Sequence, residues 1–253
     1  MAGLSDIEWT DATWNPVAGC TILSPGCTNC YAMRMAARLA AMQHPDYVGL
    51  TRKSGKRYVW TGAARPLERT LEQPLRWRKA RRIFVNSMSD LFQDAIPFDY
   101  VKRVWQVMAE ASWHQYQVLT KRPDRMKAFL AQKDVPKLDH VWIGTSVESA
   151  DYKERIATLQ AARGNVKFIS FEPLLAPIGK MNLKGIDWVI VGGESGPRAR
   201  PIRDEWVSEI FEACRRDKVA FFFKQWGGVN KKKTGRLYLG RTWDEYPAEI
   251  SAA

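Results

Sequence analysis

Three of the chain's four cysteines, Cys20, Cys27 and Cys30, fall within eleven residues, separated by gaps of six and two. Thiols so spaced ligate a metal rather than pair as disulfides, because a chain of 253 residues can bury a core without cross-links and a reducing compartment keeps its cysteines free. Three thiolates can hold three irons of a [4Fe–4S] cube and leave the fourth open to an external ligand. Zinc competes for the same donors, but a structural zinc is closed by four ligands. The fourth would have to come from Cys214, His44, His114 or His140. Cys214 falls in a periodic helical stretch and reads as a buried apolar thiol. The histidines are scattered, with His114 and His140 just ahead of strands and so at the far rim. A cluster with one open iron suits this donor set better, while a catalytic zinc held by three cysteines and a water also fits the spacing. Gly19 and Gly26, each directly before a cysteine, let the backbone turn tightly and offer N–H groups to bound sulfur. Pro16 and Pro25 stiffen the same loop.

The elements that must carry this loop are written as an alternation. Eight short runs of β-branched and aromatic residues read as strands: Ile7 to Thr10, Tyr58 to Trp60, Ile83 to Val85, Tyr116 to Leu119, Val141 to Ile143, Lys167 to Ile169, Trp188 to Val191 and Ala220 to Phe223. Helical apolar spacing is expected over Tyr31 to Met42, Pro66 to Lys79, Phe98 to Ser112, Pro123 to Gln132, Ala150 to Ala162 and Arg203 to Asp217. Strand–helix alternation predicts an α/β fold, a parallel (β/α) barrel of the TIM type. Leu174 to Ile186, broken by Pro177, Gly179 and Gly185, leaves no room for a crossover helix, and the run at Tyr58 is short. The barrel is therefore full or partial, with six to eight strands. One domain over residues 1–253 is expected, with a basic C-terminal extension at 228–253.

In such a fold the loops after the strands build the active site. Those loops read Asn86-Ser87-Met88-Ser89-Asp90, Thr120-Lys121-Arg122, Thr145-Ser146-Val147-Glu148, Ser170-Phe171-Glu172, Gly192-Gly193-Glu194-Ser195 and Lys224-Gln225-Trp226. Acids, bases and hydroxyls at one offset from successive strands imply a shared pocket. The apolar runs are far shorter than the roughly 20 residues of a membrane span, and the polar amino terminus lacks a secretory pattern. A cytoplasmic protein without membrane attachment is expected. Lysine and arginine total 39 against 27 acids, a formal charge of +12. The excess gathers at Arg52 to Arg57, Arg76 to Arg82 and Lys231 to Arg236, which favours a nucleic-acid partner over ordinary solubility charge.

A cysteine triad after the first strand, an aromatic directly after the last cysteine and a Gly192-Gly193-Glu194 triplet at a strand end resemble the radical S-adenosylmethionine superfamily. More closely, nearly the whole chain resembles phage- and bacteria-encoded three-cysteine-motif proteins, a family known as a domain of unknown function. The matching strings are Trp14-Asn15-Pro16, the cysteine loop with Tyr31-Ala32, Arg82 through Phe92, Val118 through Pro123, Phe171 through Leu175, Val191 through Gly196 and Phe223 through Gly227. Two features depart from the superfamily's pattern: its usual first cysteine gap is three residues, and its glycine-glycine-glutamate usually follows the second strand.

The resemblance implies a [4Fe–4S] cluster on Cys20, Cys27 and Cys30, with S-adenosylmethionine chelating the open iron. An external electron donor would then release a 5′-deoxyadenosyl radical that takes hydrogen from substrate. Ser87, Ser89 and Asp90 are expected to seat polar groups of the cofactor, Asp90 alternatively capping the turn before Pro97. Glu148, Glu172 and Glu194 would bind the methionine ammonium or ribose hydroxyls, or serve as acid and base. Lys121, Arg122 and Lys224 are their natural counter-charges, in a network that could equally be structural. Glu148, Glu172 and Lys224 are the catalytic candidates, and Tyr31, Ser87, Ser89, Asp90, Lys121, Gly192, Gly193 and Glu194 the cofactor-binding ones. Tyr31 and Trp226 offer stacking faces for an adenine or a flipped base. Radical chemistry on DNA or RNA, in modification or repair, is the function this implies. A zinc-dependent hydrolase or nuclease on the same barrel and a non-catalytic nucleic-acid-binding protein are the competing readings. The sequence sets no oligomeric state.

Overall fold

The fold comes from a computed structural model that describes residues 3–248. In chain order its strands are β1 Gly3–Leu4, β2 Ala12–Trp14, β3 Val17–Gly19, β4 Thr51–Ser54, β5 Arg57–Trp60, β6 Ala64–Pro66, β7 Arg82–Val85, β8 Gln115–Thr120, β9 Val141–Ser146, β10 Lys167–Phe171, β11 Trp188–Gly192 and β12 Ala220–Gln225. The helices are α1 Tyr31–Ala41, α2 Glu68–Leu71, α3 Phe98–Glu110, α4 Pro123–Leu130, α5 Glu154–Gln160, α6 Asp204–Asp217 and α7 Lys231–Thr234.

One sheet runs in the order β1-β2-β7-β8-β9-β10-β11-β12. Every neighbouring pair from β2 onward is parallel, and only β1 lies antiparallel, on β2. Seven parallel strands with helices on the outside form a partial (β/α) barrel, within the expected range. The period of two along each strand sorts the side chains. Ile83, Val85, Val118, Ile143, Ile169, Val189 and Phe221 join the apolar layer shared with α3 to α6. Phe84, Trp142, Phe168, Trp188 and Phe222 turn the other way and fill the barrel interior around Trp9. Burying each such ring contributes about 1.5–3 kcal/mol by removing its apolar surface from water.

Among the described residues the edges β1 and β12 do not pair with each other, and side chains close the floor instead. Trp9 packs on Phe84 and edge-on to Trp188, while its carbonyl accepts from Gln117 Nε2 at 3.2 Å. Tyr246 stacks on Trp188 and receives the Arg82 guanidinium over its ring, linking the β11–β12 side to β7. The chain after α7 also shields the β12 edge, through Phe223 N to Trp243 O at 2.9 Å and Trp188 Nε1 to Glu245 O at 2.8 Å. Within the expected extension at 228–253, residues 249–253 lie outside the described residues, as do residues 1–2 of the expected domain.

Three elements differ from the expectations. Ile7 to Thr10 is a turn, and the first parallel strand is Ala12–Trp14. Tyr58 to Trp60 belongs to β5, which pairs only with β4 in a separate hairpin. Pro66 to Lys79 is no continuous helix, because Pro74 cannot donate to the preceding turn; it divides into α2 and a single 3-10 turn at Gln73–Arg76. As expected, no helix crosses between β10 and β11. No helix among the described residues is long and apolar enough to cross a membrane.

Candidate active site

The cysteine loop is placed by a minor sheet. β3 pairs antiparallel with β6, and Gly19 at its end takes φ +90 while Ala63 O would lie 2.2 Å from any added Cβ. Only glycine fits both demands. Cys20 follows. Pro25–Cys27 forms a 3-10 turn with Cys27 N bonded to Ser24 O at 2.9 Å, and Cys30 is the N-cap residue of α1. Gly26 has a different reason to be glycine: a Cβ there would meet Glu148 Oε1 at 2.5 Å.

The loop covers two adjoining pockets at the carboxyl ends of the strands. The first, about 150 Å³, is walled by Cys20, Cys27 and Cys30 with Asn86, Ser87, Ser89, Asp90, Lys121 and Arg122. The second, about 280 Å³, lies between Cys30, Tyr31, Ser87 and Lys121 on one side and Glu172, Glu194, Gly193 and Lys224 on the other. Cys30, Ala32, Phe84, Ser87, Leu119 and Lys121 belong to both walls. A larger cavity of about 660 Å³, lined by Asp187, Cys214 and Lys218, sits at the amino-terminal rim. Cys214 is therefore at the opposite end from the triad, as its helix implied.

All four cysteines are free thiols. Burial pushes the Cys20 thiol up to about 12, with Asp90 adding to the effect and Arg122 opposing it. Burial also raises Cys30. At Cys27 burial acts upward too, but the Lys121 ammonium and hydrogen bonds from Leu23 and Ser24 outweigh it and lower the thiol. Soft donors beside two cations on one wall suit an anionic thiolate-bound group. Among the described residues, no group of three or more His, Cys, Asp or Glu side chains is arranged to hold a metal ion.

The acids separate into two kinds. Glu148 is fully buried and saturated: the Ser24 hydroxyl donates to Oε1 at 2.6 Å, Lys121 Nζ pairs with the same oxygen, and Arg155 Nη1 reaches Oε2 at 3.1 Å. It ties the cysteine loop to β8 and α5. Asp90 accepts from Thr120 Oγ1 at 2.7 Å, Phe92 N at 2.9 Å and Arg122 Nη1 at 3.0 Å, so it caps its own turn while facing the cavity. Glu194, 6% exposed, accepts from Arg200 Nη2 at 2.6 Å and Nε at 3.0 Å, from Arg200 N at 2.9 Å and from Asn29 Nδ2 at 2.8 Å. Burial alone would raise this carboxyl, but those donors hold it below the usual range. Arg200 Nη2 also reaches Pro25 O at 2.8 Å, which clasps the cysteine loop to the loop after β11.

Glu172 lines the second pocket beside Glu194. Lys224 Nζ lies 2.9 Å from its Oε1, and the Ser170 hydroxyl donates to Oε2 at 3.3 Å. Gly192 makes room for it, since a Cβ would stand 2.7 Å from Glu172 Oε1; Gly193 makes room for the backbone at Trp226 O, 2.2 Å away. Ser89 Oγ donates to Val17 O at 2.7 Å, and Ser87 Oγ bonds Asn15 at 3.3 Å. Tyr31 is 56% exposed at the mouth, whereas Trp226 packs on Phe223 and donates to Leu237 O at 2.8 Å. Sequence reasoning missed Ser24, Asn29, Arg155 and Arg200; each is unremarkable in its own segment and matters only through an acid distant in sequence or turned inward.

Two solved structures resemble this chain. The first is a cysteine-to-serine mutant of spore photoproduct lyase, with TM-score 0.48 and 12% identity, covering 86% of this chain and 75% of that one. The second, a double mutant of that lyase with bound AdoMet and dinucleoside spore photoproduct, gives TM-score 0.46 and 10% identity over 85% and 64%. No curated protein matches the chain at a significant level. Residues 4–247 match the family described as protein of unknown function (DUF5131), and the chain belongs to that family.

Proposed function

We propose that this chain is an iron–sulfur-dependent enzyme of the radical S-adenosylmethionine type that acts on a nucleic acid. One observation carries the reading: the pocket walled by the three thiols of the cysteine loop adjoins, across the shared residues Cys30, Ser87 and Lys121, the pocket that holds the Glu172–Lys224 pair. That is the layout required of a site that holds a redox group at one end and a reacting substrate at the other. The cavity wall supplies three thiols; a structural zinc is closed by four ligands, whereas a cube takes three thiolates on three of its irons and leaves the fourth open.

Cys20, Cys27 and Cys30 are the proposed ligands. When bound and reduced by an external donor, the cluster supplies an electron to S-adenosylmethionine and so starts radical chemistry. The chain's own residues do the rest. Glu148, Lys121 and Arg155 fix the cysteine loop over the strand ends, Asp90 and Arg122 fix the facing turn, and Glu194 with Arg200 closes the third side. Glu172 and Lys224 can hold or pass a proton at the substrate side of the cavity. Tyr31 offers its ring to a base at the mouth.

The nucleic-acid partner rests on the β4–β5 hairpin. Its Arg52, Lys53, Lys56 and Arg57 are exposed, and Trp60 at the end of the same hairpin helps to wall the cysteine pocket. In each of the other two basic stretches one arginine is already paired. Arg82 pairs with Asp11 at the amino rim, and Arg236 pairs with Asp244 and lies over Phe222. The test is direct. Anaerobically loaded protein given dithionite and S-adenosylmethionine is expected to release 5′-deoxyadenosine and methionine. Loaded, reduced protein that leaves S-adenosylmethionine intact would sink the proposal.

A further inference from the structure

Glu148 and Glu194 spend their oxygens on protein donors, and their side chains are only 1% and 5% exposed. Glu172 is reachable: its side chain keeps 14% of its surface, that of its partner Lys224 keeps 18%, and both line the second pocket. Their polar atoms stand in series. Lys224 Nζ lies 2.9 Å from Glu172 Oε1, and Oε2, at the far side of the carboxylate, accepts from the Ser170 hydroxyl at a long 3.3 Å. The rest of the pocket wall includes the apolar side chains of Ile7, Trp9, Phe84 and Leu119, with the exposed Tyr31 ring at the mouth. Apolar walls with one short polar edge suit a flat aromatic heterocycle, which packs by its faces and hydrogen-bonds by its rim.

That edge runs donor, acceptor, acceptor: the Lys224 ammonium, then the two oxygens of Glu172. Its complement is acceptor, donor, donor, and among the common nucleobases guanine alone carries that series, in O6, N1–H and the N2 amino group. Adenine and cytosine set an amino group beside a bare ring nitrogen, and thymine and uracil flank a single N–H with two carbonyls. None of these gives a donor group to each carboxylate oxygen. We propose that the Glu172–Lys224 edge selects guanine in the nucleic-acid substrate. O6 accepts from Lys224 Nζ, N1–H donates to Glu172 Oε1 and the N2 amino group donates to Oε2, the last two being the stronger, charge-assisted kind of hydrogen bond. The contacts use the Watson–Crick edge, so the base enters unpaired, from a single strand or flipped out of a duplex. The assignment rests on the function proposed above and names the base which that reading leaves open.

The test is calorimetric titration of the full chain, purified anaerobically, with guanosine, inosine, adenosine, cytidine and uridine, then with single-stranded tetranucleotides that differ at one base. Inosine lacks only the N2 amino group, so guanosine is expected to bind about tenfold more tightly, the scale of one hydrogen bond to a charged group; the other three should bind more weakly still, and the tetranucleotides should follow the same order. Glu172→Gln, which turns one carboxylate oxygen into a donor, is expected to bring guanosine down to the level of inosine. Equal affinity of wild type for guanosine and inosine, or none for either, overturns the assignment without reliance on any variant's folding. Preference among the nucleosides that vanishes in the tetranucleotides shows a free-nucleotide site and also overturns it. So does loss of S-adenosylhomocysteine binding in Glu172→Gln, which would give the pair to the cofactor. The titration needs neither S-adenosylmethionine nor a reductant, so guanine selection can fail while release of 5′-deoxyadenosine stands, and failed release beside intact guanine selection strikes the radical chemistry alone.

Discussion

At the scale of single residues, Glu148 is the member on which the cysteine loop depends. It brings two cations into the interior and is matched there by both, so its loss leaves Lys121 and Arg155 buried without their counter-charge. Glu148→Ala is expected to cost about 3–5 kcal/mol, read as a lowered urea midpoint; a cost under about 1 kcal/mol would show the pairs to be incidental. Gly26→Ala should reproduce the loop defect, because its Cβ must displace the same carboxylate. That variant is expected to load substantially less iron than wild type, with wild-type loading as the contrary result. Spacing alone singled out the three cysteines as ligand candidates, and the structure sets all three on one pocket wall. The duties of the acids were not. Glu148, Glu172 and Glu194 look alike after their strands, and what separates them is Arg155 on α5 and Arg200 in the loop after β11, partners that no local pattern assigns.

Elements explain which parts of the fold could be read. β8 to β12 were legible because each is a buried run whose neighbours are parallel strands of the same kind. β2 escaped because Ala12-Thr13-Trp14 carries less apolar signal than Ile7 to Thr10, whose Trp9 fills the barrel floor from a turn. β5 was recognised as a strand but given the wrong partner: Gly55, at φ 56, turns it back on β4, and pairing is not written in the strand itself. The clasp between Glu194 and Arg200 also belongs to this scale, since it joins two loops. The folded pKa of Glu194 lies below the ordinary 4.5, so the clasp adds stability that is present above about that pH and lost as pH falls through the lowered value. Melting curves of wild type and Glu194→Gln should therefore converge below about pH 4.5. A constant gap from neutral pH down to strong acid would contradict the clasp.

For the whole molecule, a sheet whose edge strands β1 and β12 do not pair with each other among the described residues becomes a barrel-like cup because aromatic side chains plug its floor and the C-terminal segment bridges β12. The proposed working end is thereby the opposite one, where Trp60 of the basic hairpin joins the pocket wall. If that hairpin holds phosphates, removing Arg52, Lys53, Lys56 and Arg57 together should flatten the salt dependence of duplex binding by about 0.9 in log–log slope for every phosphate no longer neutralised. An unchanged slope would assign the partner surface elsewhere. The central claim, that the three cysteines carry an iron–sulfur cluster, is tested most directly by iron, sulfide and zinc content after anaerobic purification. The account predicts about four irons and four sulfides per chain, lost on replacing any of Cys20, Cys27 or Cys30 and retained in Cys214→Ala. One zinc per chain with neither iron nor sulfide would contradict it.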